Sequence, residues 1–360
     1  VNYPYSSWKF SREKIDGVEI FRAPLWVPTR PTGVKRLLHL ISFAVLSTPC
    51  LLWQIRWRPQ AIIVVAPALA CAPSGLLMGK LSKAKTWLHI QDFEVDAAFE
   101  LALLKGKILR KFVSRIESIL MQGFDRISSI SSRMVDLARN KGVEPSKLVM
   151  FPNWVDISKI QPLTTASSYR AQLGLSPEHI VALYSGNMGA KQGLELLSEA
   201  AKILSNCEHI RFVFCGEGAG RPELERLSTG LANVQFLPLQ PFEELSELLG
   251  MADIHLLPQK ADAADLVMPS KLTGMFASGK VVLATTSADT ELGRVIAGRG
   301  VIVSAGDPIE LARAISELAA NPERRRVLGL AGRLYAERNL DKDTILRDFE
   351  SNLLNCGLAD

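Results

Sequence analysis

The stretch Tyr184-Ser185-Gly186-Asn187-Met188-Gly189-Ala190-Lys191-Gln192-Gly193 joins an apolar run, Ile180–Tyr184, to a helical pattern, Leu194–Leu204. The run has the length and composition of a buried strand. A glycine-rich turn between a strand and a helix gathers backbone N–H groups and the positive end of the helix at one point, which suits a diphosphate. The same arrangement returns at Arg211–Cys215 followed by Gly216-Glu217-Gly218-Ala219-Gly220. Two such loops on one parallel sheet point to a nucleotide site rather than to turns made for packing.

Outward from these loops, apolar runs recur at Val234–Leu237, Ile254–Leu257, Val281–Ala284 and Val301–Val303. Helical patterns lie between most of them, at Pro222–Leu227, Phe242–Leu249 and Lys271–Phe276, and Pro308–Leu318 follows the last. Strands alternating with helices predict a parallel sheet covered on both faces. Ligands of such sheets sit beyond the carboxyl ends of the strands, where both glycine loops fall. The first half has the same grammar. Val18–Ala23, Ala61–Val65, Thr86–Ile90, Arg126–Ile130 and Leu148–Phe151 read as strands, with apolar helices at Gly33–Trp53 and Leu101–Met121. The fold class is therefore α/β, with two doubly wound domains. The first spans 1–158 and the second 159–340, joined by a linker at Asp156–Thr165, and the segment 341–354 packs back on the first.

The polar and aromatic stretch Tyr3–Lys9 ahead of Val18 reads as a loop. A domain of this kind normally opens with a strand and a glycine-rich loop, and the chain starts at Val1 without them. The expectation is that such a piece is missing and the first domain is incomplete.

At 360 residues, 48% hydrophobic and 22% charged, the chain is an ordinary globular protein with room for two cores. Its five cysteines show no metal-ligand spacing and read as free thiols of a reducing compartment. Residues 1–160 hold 23 Lys+Arg against 12 Asp+Glu, whereas residues 161–360 hold 19 against 25. A basic half beside an acidic half points to an anionic surface or substrate on the first, or to a scattered solvated surface. Leu37–Trp53 is a mostly apolar run flanked by Lys35, Arg36, Arg56 and Arg58; Ser42, Ser47, Thr48 and Pro49 interrupt it, and it falls just short of a membrane span. Leu101–Met121 carries an apolar stripe (Leu101, Leu104, Ile108, Phe112, Ile116 and Ile119 or Leu120) beside Lys107, Arg110, Lys111 and Arg115. Both helices are expected to pack on the first sheet and together to offer a face to an anionic membrane. Neither glycine loop has the G-x-G-x-x-G spacing with an acidic residue about 20 further on, which argues against a nicotinamide enzyme.

Five features, the two glycine loops among them, fall into one order. They are Ser129-Ile130-Ser131-Ser132-Arg133-Met134, Phe151-Pro152-Asn153-Trp154-Val155-Asp156, the two glycine loops, and the pair Pro269-Ser270-Lys271-Leu272 and Ala277-Ser278-Gly279-Lys280. Together they resemble the retaining, nucleotide-sugar-dependent glycosyltransferases of the GT-B fold, family 4, over nearly the whole chain. Leu88-His89-Ile90-Gln91-Asp92-Phe93-Glu94-Val95-Asp96-Ala97 and Met268–Thr273 are similar to the colanic acid branch of that family, which implies GDP-fucose as donor.

The resemblance implies two Rossmann-like domains facing a cleft, and transfer of a sugar to an acceptor hydroxyl with its configuration kept. It implies no metal and no other cofactor, because helix N-termini and cations stabilise the departing diphosphate. Donor binding then falls to Gly186, Asn187, Gly189, Lys191, Gly216, Glu217, Gly218, Ser270, Lys271 and Glu291, and catalysis to Asp92 and His89. Asp92 would help take the acceptor's proton. Plainer readings stand beside each of these: turn glycines, an N-cap serine with a surface lysine, solvated glutamates, and a structural strand histidine. The chain departs from the family at Asn187 and Gln192, where Arg and Lys are usual. It also departs at Leu266 and Gly274, where paired glutamates are usual; Asp262 and Asp265 are the nearby substitutes. The implied partners are a nucleotide sugar, a lipid-linked saccharide acceptor and an anionic membrane, with no nucleic acid. The implied location is the cytoplasm, peripheral on the inner face of the cell membrane. Two rival readings are a GT-B sugar-nucleotide epimerase, in which His179, His209 or His255 would face the sugar, and a non-catalytic docking protein.

Overall fold

A computed structural model describes residues 8–28, 33–66, 69–93, 107–189, 192–260 and 268–357. The chain divides into two compact units, Pro152–Arg347 and Val1–Phe151 with Asp348–Asp360. The division falls ahead of the linker expected at Asp156–Thr165. Residues 155–160 are tied to the second unit: Val155 bridges Asp341, Lys342 Nζ lies 2.9 Å from Asp156, and Arg333 donates to the carbonyls of Ile157 and Ile160. The last helix, Lys342–Leu354, spans the division. Its far end carries Phe349, which stacks on Phe151 and meets Trp87 edge-on.

The second unit holds six parallel strands: β7 (Ile180–Ser185), β8 (Ile210–Cys215), β9 (Val234–Leu237), β10 (Ile254–Pro258), β11 (Val281–Thr285) and β12 (Gly300–Val303). All six expected strands form. They lie in the order β12-β11-β10-β7-β8-β9. Alternate residues feed two cores. Ala182, Tyr184, Phe212, Phe214 and Leu256 face the helices Glu195–Ile203 and Pro308–Ala320, while Val181, Leu183, Val213, Val282 and Ala284 face the opposite side. Burial on both faces is why these strands are largely apolar, with Arg211, Gln235 and His255 among the exceptions. Strand order reverses between β7 and β10, and ligands of open α/β sheets bind at such a switch point.

The first unit has a four-stranded parallel sheet: β3 (Ala61–Ala66), β4 (Lys85–Ile90), β5 (Arg126–Ser129) and β6 (Leu148–Met150). Val18–Ala23 does not join it, contrary to expectation. Val18–Arg22 (β2) pairs antiparallel with Ser11–Ile15 (β1) in a separate hairpin. Asp16-Gly17 makes the two-residue turn, with positive φ at both positions as a type I′ turn requires. The helix Ala72–Ser82 packs on β3 and β4, and a Cβ at Gly75 would come within 2.4 Å of Val64 Cγ2, so the helix seats close to the strand.

The two apolar helices depart from expectation in another way. Gly33–Trp53 rests chiefly on Leu69–Cys71 and on Ala72–Ser82, to which it is linked by the Thr48–Ser74 hydroxyl contact at 2.7 Å. Residues Leu38–Trp57 are long and apolar enough to cross a membrane, by length and composition, and only 6% of the most apolar window is buried. Of the second helix, Lys107–Gln122 is described and 101–106 lies outside the described residues. Its stripe points outward: Ile108, Phe112, Ile116 and Ile119 are 88%, 63%, 41% and 58% exposed. The inward side carries Met121 and Glu117, the latter paired with Lys141 at 2.5 Å. The stripe therefore does not cover the sheet.

Candidate functional site

Beyond the carboxyl ends of β7 and β8 the two glycine loops interlock. Gly186 N–H donates to Cys215 O at 3.0 Å, Met188 N–H to Glu217 O at 2.8 Å, and Gly220 N–H to Met188 O at 2.7 Å. The backbones approach so closely that no side chain fits between them. A Cβ at Gly216 would lie 2.0 Å from Gly186 O, and one at Gly218 would lie 2.5 Å from Met188 O. Both residues also have positive φ, +139° and +149°. Met188 anchors the first loop in the core, and the Tyr184 hydroxyl donates to Asn187 O at 2.7 Å.

Lys271 opens the short helix Lys271–Ala277 and reaches under the first loop. Its Cδ is 3.5 Å from where a Gly186 Cβ would stand, and its ammonium lies 4.1 Å from the centroid of the Tyr184 ring. Its Nζ is buried and has no hydrogen-bond partner among the described residues. Burial pushes the pKa down from 10.5 to about 7. A buried ammonium compensated, among the described residues, by a ring face alone is costly, and an incoming anion would supply what it lacks.

Of the expected donor residues, the structure brings together Gly186, Asn187, Gly189, Gly216, Glu217, Gly218 and Lys271. Lys191 lies outside the described residues, as do Asp262, Asp265 and Leu266. Glu217 is mostly exposed and pairs with Arg221 at 2.9 Å. Ser270 is exposed and holds the N-cap position of this helix, but its side chain makes no capping bond. At Gly274 a Cβ would approach Leu249 Cδ1 at 3.2 Å. Glu291 starts the helix Glu291–Ile296 beyond β11, behind a Thr290 cap that accepts from Gly293 N–H.

Sequence reasoning missed Arg221. Its Nη1 donates to Gly216 O at 2.7 Å and Leu237 O at 2.9 Å, and its Nε to Glu225 at 2.8 Å. This fixes the second loop from behind. The signal was present, since Glu217 and Glu225 each stand four positions from Arg221. Gln192 was weighed only for the lysine it replaces. Its Oε1 is buried without a partner among the described residues, next to Gly189 and Asn187.

The two catalytic candidates belong to the first unit. His89 is buried, with Nδ1 2.9 Å from Ser128 Oγ and Nε2 2.8 Å from Gln91 Nε2. Burial holds its pKa near 4, so the ring is neutral at pH 7. With both nitrogens engaged, it holds Gln91 and Ser128 in place, which is the plainer reading. Asp92 is half-buried beyond the carboxyl end of β4. Among the described residues no three His, Cys, Asp or Glu side chains gather as a metal site.

Residues 166–335 match the glycosyl transferases group 1 family, and residues 3–154 match the glycosyl transferase 4-like domain. The chain is 42% identical over 359 residues to WcaI of Escherichia coli K12, a protein named as a glycosyl transferase of colanic acid biosynthesis; the match covers 97% of this chain and 87% of that one. Sucrose-phosphate synthase of Thermosynechococcus elongatus shares the fold with a TM-score of 0.77 at 15% identity, over 100% of this chain and 88% of that one. HepE of Anabaena, solved with UDP and glucose, does so at 0.69 and 15%, over 85% and 82%. The chain belongs to the group 1 glycosyltransferases and has their GT-B fold.

Proposed function

We propose that this glycosyltransferase moves a sugar from a nucleotide diphosphate, GDP-fucose in the first instance, to a lipid-linked saccharide with retention of configuration. The colanic acid role in the relative's name supports a place in bacterial surface-polysaccharide assembly. One observation carries the donor site: a buried ammonium, Lys271, without a hydrogen-bond partner among the described residues, beneath two interlocked glycine loops at the switch point of the sheet. On this reading the loop amides and Lys271 meet the diphosphate as negative charge grows on it, so a resident metal is not required. The acceptor attacks on the face the diphosphate leaves, and the departing phosphate oxygen takes its proton. Asp92 is the first-unit carboxylate assigned to assist. Neither His89 nor the second-unit histidines suit an epimerase. His179 bonds Ser176 at the amino end of β7, His209 precedes β8, and His255 is buried against Ser278.

The membrane assignment draws support from the outward stripe of Lys107–Gln122, with Arg110, Lys111 and Arg115 exposed beside it, and from the bare face of Gly33–Trp53. A basic amphipathic surface of this kind suits the inner, anionic face of a cell membrane, where a lipid-linked acceptor is presented.

The donor reading is tested by calorimetry with GDP, UDP and ADP, with Lys271→Ala alongside. Binding of one nucleotide, weakened at least about tenfold by the substitution, is the expected result. Equal binding by the variant would remove Lys271 from the site. A non-catalytic protein would bind the nucleotide yet release no fucose from GDP-fucose in the presence of lipid-linked saccharide.

A further inference from the structure

The second unit has a concavity at the opposite end of its sheet from the glycine loops. Its volume is about 360 Å³. Asp253 and Lys280 line it where β10 and β11 begin, and Arg325, Arg326 and Arg333 line it from one face of the helix Pro322–Asn339. Five-residue strands separate it from the donor loops by about 17 Å.

Four cations surround this cavity, and their partners are unequal. Arg326 forms a two-pronged pair with Glu323, at 2.8 and 2.6 Å. Arg333 pairs with Glu337 at 2.6 Å. The Asp253 carboxylate is taken by Arg170 at 2.5 Å and by the Val181 N–H at 2.9 Å. Arg325 donates to two carbonyls, Leu318 O and Ala319 O, and no carboxylate pairs with it among the described residues. The Lys280 ammonium has neither ion pair nor hydrogen bond among the described residues, although its side chain is half-buried. Burial lowers its pKa, against the pull of Asp253 and with the help of Arg170 and Arg325. Lys280 and Arg325 thus share one concave surface with a single carboxylate, Asp253, which is already bound to Arg170, and cations so placed repel one another unless a further anion joins them.

We propose that this cavity binds a phosphate group, with Lys280 and Arg325 neutralising it and Arg326 at the rim. Two cations that form no ion pair among the described residues match a dianion better than a carboxylate, and a guanidinium fork matches phosphate oxygens. The volume exceeds that of a bare ion and lies at the lower end for small-molecule sites. Pro162, Leu163 and Leu330 give the cavity an apolar side for the organic remainder of a phosphorylated small molecule or a lipid headgroup.

The test uses the full chain carrying Lys271→Met, so that the donor site does not compete. Calorimetry with inorganic pyrophosphate and with glucose 1-phosphate reports soluble ligands. Sedimentation with phosphatidylglycerol vesicles, against phosphatidylcholine, reports a headgroup. Binding of at least one probe, weakened about tenfold or more by adding Lys280→Met and restored by Lys280→Arg, is expected. Which probe binds names the source. Arg326→Glu, at an exposed position, should weaken the same probe with an unchanged melting temperature. The proposal is overturned if no probe binds, or if binding is indifferent to Lys280→Met in a chain whose melting curve is normal.

Discussion

Lys271 places a charge where the fold resists one. Its folded pKa of about 7 lies below the ordinary 10.5. Between those values the unfolded chain holds a proton that the folded chain lacks, so stability rises with pH across that window. At or below pH 7 the cost of the buried ammonium is felt in full. Lys271→Met removes it and should stabilise the ligand-free protein by about 1–4 kcal/mol at pH 7. The gain should fade toward pH 10.5. Urea titrations at pH 7 and pH 10 measure both, and a variant less stable at pH 7 would contradict the argument. Binding has the opposite sign. A nucleotide sugar's diphosphate has no proton to lose near neutrality, so its affinity should fall by up to about tenfold per pH unit above 7 as the free enzyme's ammonium deprotonates. Lys271→Arg should flatten that slope; an equal slope in both proteins would assign it to another group.

Among the elements, the glycine loops were legible as loops, but the reason for their glycines was not. Spacing shows a turn after a strand; it does not show that Gly216 abuts Gly186 O. Gly216→Ala should cost about 2–4 kcal/mol and abolish nucleotide binding, since it combines collision with strain at φ +139°. Gly230→Ala is the control: its φ is +82°, but nothing lies within 4 Å, so strain alone should leave nucleotide binding intact. Equal effects in melting and calorimetry would reduce Gly216 to a turn glycine. The second sheet was legible strand by strand because each strand is apolar on both faces. Of the β1–β2 hairpin, Val18–Ala23 was legible as a strand but its partner Ser11–Ile15 was not, because that strand is largely polar, with ion pairs such as Arg12–Glu19 at 2.6 Å. The helix Ala72–Ser82 was hidden by Pro73 and Gly75 near its start. For Lys107–Gln122 the period revealed an apolar stripe but not what it faces. The structure turns that stripe outward and buries Glu117 against Lys141. Replacing Ile108 and Phe112 by Ser should therefore change the melting temperature little, yet weaken binding to phosphatidylglycerol vesicles by about tenfold or more. A large loss of stability with unchanged vesicle binding would mean that the stripe is core.

On the proposed function, the whole chain would separate a membrane surface and a nucleotide sugar between its two halves. The basic first 160 residues include the exposed apolar helices, and the acidic remainder contains the donor loops with the buried Lys271. Net charge of +5 conceals this division. If it is functional, two ligands should mark two different sets of residues. Hydrogen exchange with GDP-fucose should protect 184–189, 215–221 and 270–272, and exchange with phosphatidylglycerol vesicles should protect 38–57 and 107–122. Salt should separate them further. Raising ionic strength from about 0.05 to 0.5 M shortens the screening length severalfold, so vesicle protection should fall steeply. Protection by the nucleotide sugar should fall less, because its cation is buried and poorly screened. Vesicle protection confined to residues 152–347, or unaffected by salt and by the Ile108 and Phe112 substitutions, would place the membrane contact elsewhere and detach the lipid-linked acceptor from the first unit.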